Sequence, residues 1–335
     1  MRDVEMDPRF LKGILSATNL KTLALNFSIQ LDSFVHLDSL EIRLWHSDDV
    51  NYLLNYHHGN ENLKSLRIDC GAIPVSLAQF TSLTSLDLGV DVMLDEFELF
   101  RLTNLKRLEF SHILHSNFVS MGPLSRLRDV EELTFHSFLP EELDELIALF
   151  SLSNFKKVSL NSVMDNFPPL DESAFEGLSV SCYWIDDDAD RAADFNRLLS
   201  ALSRKKLRNL RVEVPTMNFA SMARISLFPN LESLELIDFQ FTGPINDDFL
   251  LPLFHLKKLR YLKLSKGESE GDDNSLAQHE GLTEVSIFGL IGELQATLVY
   301  LHLSNLFYYS QKSLDSIEIQ IVKKYPMIEA HLRKD

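Results

Sequence analysis

The chain has 335 residues, 45% of them hydrophobic and 24% charged, and a net charge of −17. That much acidity repels nucleic acid and anionic membrane, so neither is expected as a partner. Cys70 and Cys182 are too few for a disulfide framework, and no apolar run approaches the ~20 residues a spanning helix needs. The N-terminal MRDVEMDPRF lacks the apolar run of a signal peptide, so a cytoplasmic or nuclear setting is expected.

In chain order, Asp7 and Pro8 open a short helix at RFLKGIL, a capping residue followed by a first-turn proline. Asp48 and Asp49 open a second at VNYLLNYHH, which Gly59 is placed to end. Pro140, Glu141 and Glu142 open a third at LDELIALF. A longer helix is predicted near residues 188–204, because the run IDDDADRAADFNRLLSALSRKK is acidic at its start and basic at its end, as the helix dipole prefers. Between these segments one phrase recurs: an apolar residue, two variable ones, an apolar residue, one variable, then a third apolar residue. It reads NLKTLAL, HLDSLEI, NLKSLRI, SLTSLDL, NLKRLEF, DVEELTF, NFKKVSL, AFEGLSV, KLRNLRV, NLESLEL, KLRYLKL, GLTEVSI, TLVYLHL and SLDSIEI. The mean spacing is roughly 23 residues, within the leucine-rich repeat range.

The last two apolar residues of each phrase are separated by one residue and so point to the same side of a strand. Strands are therefore expected around Ala24, Glu41, Arg67, Asp87, Glu109, Thr134, Ser159, Ser179, Arg211, Glu235, Lys263, Ser286, His302 and Glu318. One copy cannot bury its own apolar side; stacked neighbours can. The spacings Leu20 to Leu37, Leu282 to Leu298 and Leu298 to Leu314 are short for complete repeats, and register errors are expected there.

The fourteen phrases resemble the leucine-rich repeat superfamily over almost the whole chain. The resemblance implies an α/β solenoid, a curved horseshoe with a parallel sheet on its concave side and helices and irregular loops on its convex side. One solenoid of about 14 repeats is expected over 1–335, with an N-terminal cap at 1–19 and a C-terminal cap at 320–335, where Ile321, Tyr325, Met327 and Ile328 cover the last repeat. Many such families carry an asparagine three residues after the third leucine. Here that column reads Ile113, Phe138, Val163, Phe239, Leu290 and Leu306. Apolar residues there and irregular lengths are similar to the repeats of F-box proteins and ribonuclease inhibitor. The function implied is non-catalytic protein binding: a scaffold or receptor, with substrate recognition for a ubiquitin ligase as one form. The alternative is a stoichiometric inhibitor of a basic enzyme. No F-box precedes the first phrase.

Solvent-facing positions of the phrases hold twelve Lys/Arg against fourteen Asp/Glu, so most of the acidity lies on loops and the convex side. A basic protein is the partner such a field would attract. No catalytic or metal constellation emerges. His112, His115 and His136 fall on adjacent repeats, but neither a converging ligand set nor a nucleophile with base and orienting acid accompanies them. Asp186 to Asp190 lacks the glycine and distal glutamate of a calcium loop. No enzyme, metal or cofactor is expected. The candidate protein-binding residues are Ile237, Tyr261, Lys263, Phe288, Tyr300 and His302, placed on solvent-facing strand positions of consecutive repeats. Trp45 and Trp184 are rim residues, read as structural.

Overall fold

In the computed structural model the described residues are 21–25, 37–43, 62–69, 77, 80–89, 99–110, 129–138, 155–162, 176–182, 191–267, 281–307 and 309–334. They fall into two units: Met1–Phe138 with Leu152–Phe155, and Leu139–Ser151 with Lys156–Asp335. The expected N-terminal cap, the helices after Pro8, Asp49 and Pro140, and His112, His115, Trp45 and Trp184 lie outside the described residues.

In the first unit, β1 (Thr22–Leu25), β2 (Ser39–Arg43), β3 (Ser65–Asp69), β4 (Ser85–Leu88), β5 (Arg107–Phe110) and β6 (Glu132–Phe138) pair in chain order, all parallel. The register aligns the phrases. Leu40, Leu66, Leu86, Leu108 and Leu133 share one row, and Ile68, Leu88, Phe110 and Phe135 the next. Both rows are buried, as are Leu63, Leu83, Leu105 and Val130, which lead into the strands. Phe110 and Phe135 stack at 5.1 Å between ring centroids, 12° apart. A short 3-10 turn, Leu99–Arg101, precedes β5; Leu99 and the following Leu102 are buried.

The second unit continues the pattern with β7 (Lys157–Ser162), β8 (Gly177–Cys182), helix α1 (Arg191–Ala201), β9 (Asn209–Glu213), β10 (Thr216–Met217), α2 (Phe219–Ile225), β11 (Ser233–Phe241), β12 (Tyr261–Lys266), α3 (Glu284–Leu294), β13 (Tyr300–Ser304), α4 (Gln311–Lys324) and β14 (Glu329–Arg333). Seven strands pair in parallel in the order β7-β8-β9-β11-β12-β13-β14, with β10 beside β11. The helix α1 falls within the predicted span 188–204 but is shorter and carries no basic residue in its last turn, so the expected charge gradient lies outside it; Phe195, Leu198 and Leu199 form its buried stripe. Asn218 and Ser221 form a reciprocal capping box at the start of α2. A 3-10 segment, Asp247–His255, begins at Asn246 and packs against α3. Asp247 ties the two together: its carboxylate accepts from the Thr283 amide and hydroxyl, both at 2.7 Å.

Two phrases are not strands. GLTEVSI opens α3 and SLDSIEI lies in α4, so the strands expected around Ser286 and Glu318 are corrected to helices. Burial shows why. A strand would bury the fourth and sixth residues of each phrase, yet Val285 is 73% exposed and Ile319 is 69% exposed. The buried residues are instead Ile287, Leu290, Ile291 and Leu294 in α3, and Leu314, Ile317 and Ile321 in α4, at helical spacing. The 320–335 segment also differs from a simple cover. Its last part is a further strand, β14, whose Ala330 and Leu332 continue the two buried rows. Within 320–335, Ile321 and Ile328 are buried and Met327 is 82% exposed.

At three repeats of the second unit the buried residue in this column has a backbone cause, whereas Leu290, expected in the same column, lies in α3. Val214, Asp238 and Asn305 stand two residues after the third apolar residue of their phrases, with φ of 55°, 52° and 58°. A left-handed residue there turns the chain, so the following Pro215, Phe239 and Leu306 point back into the core and are buried. Asparagine does stitch repeats, but from just before the first leucine. The Asn104 side-chain amide donates to the Thr81 carbonyl (2.8 Å) and the Asn230 amide to Lys205 (2.7 Å), each in the preceding repeat.

Candidate protein-binding face

Side chains that alternate with the buried rows project from the opposite side of the sheet. On the first unit that side is a ladder of ion pairs. Arg67 lies 3.6 Å from Glu41 and 3.2 Å from Asp87 on the flanking strands. Arg107 meets Glu109 at 3.2 Å, and His136 meets the other oxygen of Glu109 at 2.6 Å. His136 is thus a partner to a carboxylate, and among the described residues no group of three His, Cys, Asp or Glu could hold a metal ion.

On the second unit the rows change character along the chain. One runs Lys157, Gly177, Asn209, Ser233, Tyr261, Tyr300 and Glu329; its neighbour runs Ser159, Ser179, Arg211, Glu235, Lys263, His302 and His331. Small residues at the start of both rows leave a shallow depression of about 610 Å³, floored by Ser159, Gly177, Ser179 and Ser233. Arg211 and Glu235 also line it, and Arg211 reaches Glu235 at 2.8 Å and Glu213 at 2.5 Å. The buried Ser181 hydroxyl donates to Glu213 at 2.6 Å. That hydrogen bond is the largest influence on Glu213; with Arg211 it outweighs burial and holds the carboxyl below its usual range.

Past this charged cluster the aromatic residues begin. Tyr261 and Tyr300 occupy paired positions, and their rings stack at 4.3 Å, 2° from parallel. His331 tilts against Tyr300 at 5.5 Å and lies 6.2 Å from His302. Its imidazole meets Glu329 at 2.8 Å. Burial, then the neighbouring Tyr300 phenol and the Glu235 charge, push the Tyr261 phenol up to about 12, with Arg211 acting the other way. Tyr261 therefore keeps its proton, and its capacity to donate, well above neutral pH.

The structure brings together Tyr261, Lys263, Tyr300 and His302, four of the six sequence candidates, on the adjacent strands β12 and β13. Ile237 sits two strand positions along β11, opposite Glu213 and half-buried, next to the left-handed Asp238. Phe288 does not join them. It lies on α3 with Lys324 5.6 Å above its ring, so its place on the binding face is corrected. His331 was missed by the sequence reading because its strand was taken for a cap. The signal was Ile328-x-Ala330-x-Leu332, a phrase whose first leucine is replaced by the exposed Met327.

The repeated phrase and the in-register parallel strands make this the leucine-rich repeat fold. No family model matches the sequence, and no curated protein matches it. Among solved structures, an internalin from Listeria monocytogenes is similar at 15% identity and a TM-score of 0.46, over 95% of this chain and 82% of that one. A leucine-rich repeat protein of Leptospira interrogans is similar at 14% identity and a TM-score of 0.37, over 98% and 99% of the two chains. The plant peptide hormone receptor RGFR1, solved in complex with RGF2, is similar at 14% identity and a TM-score of 0.38; 85% of this chain covers 44% of the receptor. Among the described residues no helix is long and apolar enough to cross a membrane.

Proposed function

We propose that this chain is a non-catalytic protein-binding module that engages its partner through the solvent face of strands β11 to β14. The observation that carries the reading is the stacked pair Tyr261 and Tyr300, flanked by Lys263, His302 and His331, on a face that elsewhere in the described residues is small or charged. Rigid aromatic side chains on an ordered strand give a partner large contact area at little entropic cost, and such residues dominate interface energetics. Ile237 extends the face along β11. Nucleic acid remains outside this reading because of the net charge of −17.

A second reading, stoichiometric inhibition of a basic enzyme, is favoured by that same charge. The two differ in salt dependence. An inhibitor held by the long-range field loses affinity steeply between 50 and 500 mM salt, on the order of the change in Debye length from ~14 to ~4 Å. A partner seated on the tyrosine pair keeps most of its affinity. The finer reading, a substrate-recognition subunit of a cytoplasmic or nuclear ubiquitin ligase, rests on the irregular repeats and predicts co-purification with an adaptor subunit.

The test is differential capture. Proteins retained by the parent chain are compared with those retained by the Tyr261→Ala, Tyr300→Ala double variant and by Arg67→Ala. A partner of this face is kept by the parent and by Arg67→Ala and lost from the double variant. Retention by all three proteins would remove the tyrosine pair from the site.

A further inference from the structure

We propose that Gln311 and Glu318 of α4 act as a surrogate strand that closes the outer edge of β14 against pairing with another chain. In the β13–β14 ladder the Glu329 amide donates to the Val299 carbonyl, and the Arg333 carbonyl accepts from the Asn305 amide. Parallel pairing in this register turns residues 329, 331 and 333 toward β13 and residues 330, 332 and 334 away from it. A row of outward N–H and C=O groups on an edge strand is a template for a further strand.

Here the template is taken by side chains of the same chain. The Gln311 side-chain amide donates to the Leu332 carbonyl at 3.0 Å, and its oxygen accepts from the Lys334 amide at 3.0 Å. Those two groups flank Arg333 and are the pair that one residue of a neighbouring parallel strand would use. The primary amide of Gln311 thus stands where a peptide N–H and C=O would stand. Glu318 takes a second outward amide, that of Leu332, and also accepts from Arg333 at 3.0 Å. Arg333 donates to the Leu332 carbonyl as well, at 3.0 Å.

The device uses the shape of α4. Glu318 lies two turns from Gln311, so a single helix face carries both groups along the edge. Gln311 is itself fixed by a second bond, from its Nε2 to Asp315 at 2.8 Å, one turn on. The consequence is that recognition at this end proceeds through the tyrosine face of the sheet, and strand addition at β14 is blocked. The edge argument does not depend on the binding role of that face.

The test uses the whole chain. Amide exchange at Leu332 and Lys334 is compared in the parent, in Gln311→Leu and in the Gln311→Ala, Glu318→Ala double variant. Sedimentation velocity is run across 1 to 100 μM. Loss of one hydrogen bond of ordinary net strength should speed exchange about tenfold at Lys334 in Gln311→Leu, with Ala330 unchanged. The double variant should form larger species with rising concentration, and adding Lys334→Pro, which removes an outward N–H, should return it to the parent's behaviour. Unchanged exchange at Lys334 in Gln311→Leu would overturn the proposal. So would a double variant that sediments like the parent, or one whose association survives Lys334→Pro. Gln311→Leu leaves the buried stripe of α4 intact, so its exchange readout stands even if the double variant fails to fold.

Discussion

The sheet face of the first unit and the β12–β14 end of the second are built on the same phrase, yet present opposite chemistry. Both bury the same rows: Leu86, Leu108 and Leu133 in one, Leu262, Leu301 and Ala330 in the other. On the opposite side, the first unit pairs its charges with one another, Arg67 between Glu41 and Asp87 and Arg107 with Glu109. The second presents two stacked tyrosines and two histidines. The inward rows carry the fold, so outward positions vary freely. A face that neutralises itself leaves little for a partner, whereas an aromatic ledge leaves area and donors.

If the inward rows carry both units equally, removing a large side chain from either should cost the same. Phe110→Ala in the first unit and Phe239→Ala in the second, both fully buried and both in ring stacks, should each lose about 3–5 kcal/mol by chemical denaturation. A loss in one and not the other would break the equivalence. The outward faces should separate. Tyr300→Ala should weaken partner binding by ~2 kcal/mol or more in calorimetry while hardly changing the melting temperature. Arg67→Ala, which removes the half-buried ion pairs to Glu41 and Asp87 on the first unit, should leave binding unchanged.

The second unit also holds a strained residue. Val214 is β-branched with a φ of 55°. Val214→Asn, which tolerates the left-handed region and keeps the backbone N–H bonded to Ile237, should raise stability by about 1 kcal/mol in the same denaturation assay. Acid sharpens the contrast further. Glu213 is held below the carboxylate range chiefly by Ser181. At Asp247 burial, the largest influence, opposes ionisation, but the hydrogen bonds from Thr283 outweigh it and the pKa falls. Both groups bind protons less readily folded than unfolded. The stability they contribute is therefore present above the ordinary carboxylate pKa of about 4 and is lost as pH falls below it. Ser181→Ala should narrow the stability difference between pH 7 and pH 3; an unchanged difference would remove Glu213 from the account.

Twelve of the fourteen phrases were legible as strands because a two-residue apolar alternation has one outcome when a neighbour lies on either side. The helices α3 and α4 were misread because Leu282-x-x-Val285-x-Ile287 and Leu314-x-x-Ile317-x-Ile319 satisfy the strand phrase over six residues. Only the residues beyond, Leu290, Ile291 and Leu294 in one and Ile321 in the other, reveal the helical period. Thr283, which caps α3 through its hydroxyl, was the local sign. At the site, Tyr261, Lys263, Tyr300 and His302 were readable because their alternation is strict. Phe288 inherited the error in α3, and His331 was hidden behind a phrase lacking its first leucine.

The amino-acid sequence by itself determined which residues go inward on the strands, since a six-residue alternation fixes a face wherever a strand forms. It also placed a helix close to where α1 lies, through the apolar spacing of Phe195, Leu198, Leu199 and Leu202. The tertiary structure alone decided which copies of the phrase become strands, because that depends on whether a paired neighbour exists to bury Val285 or Ile319. It alone decided how β14 is finished. The side-chain amide of Gln311 can replace a peptide group only once α4 has been laid along the edge it closes.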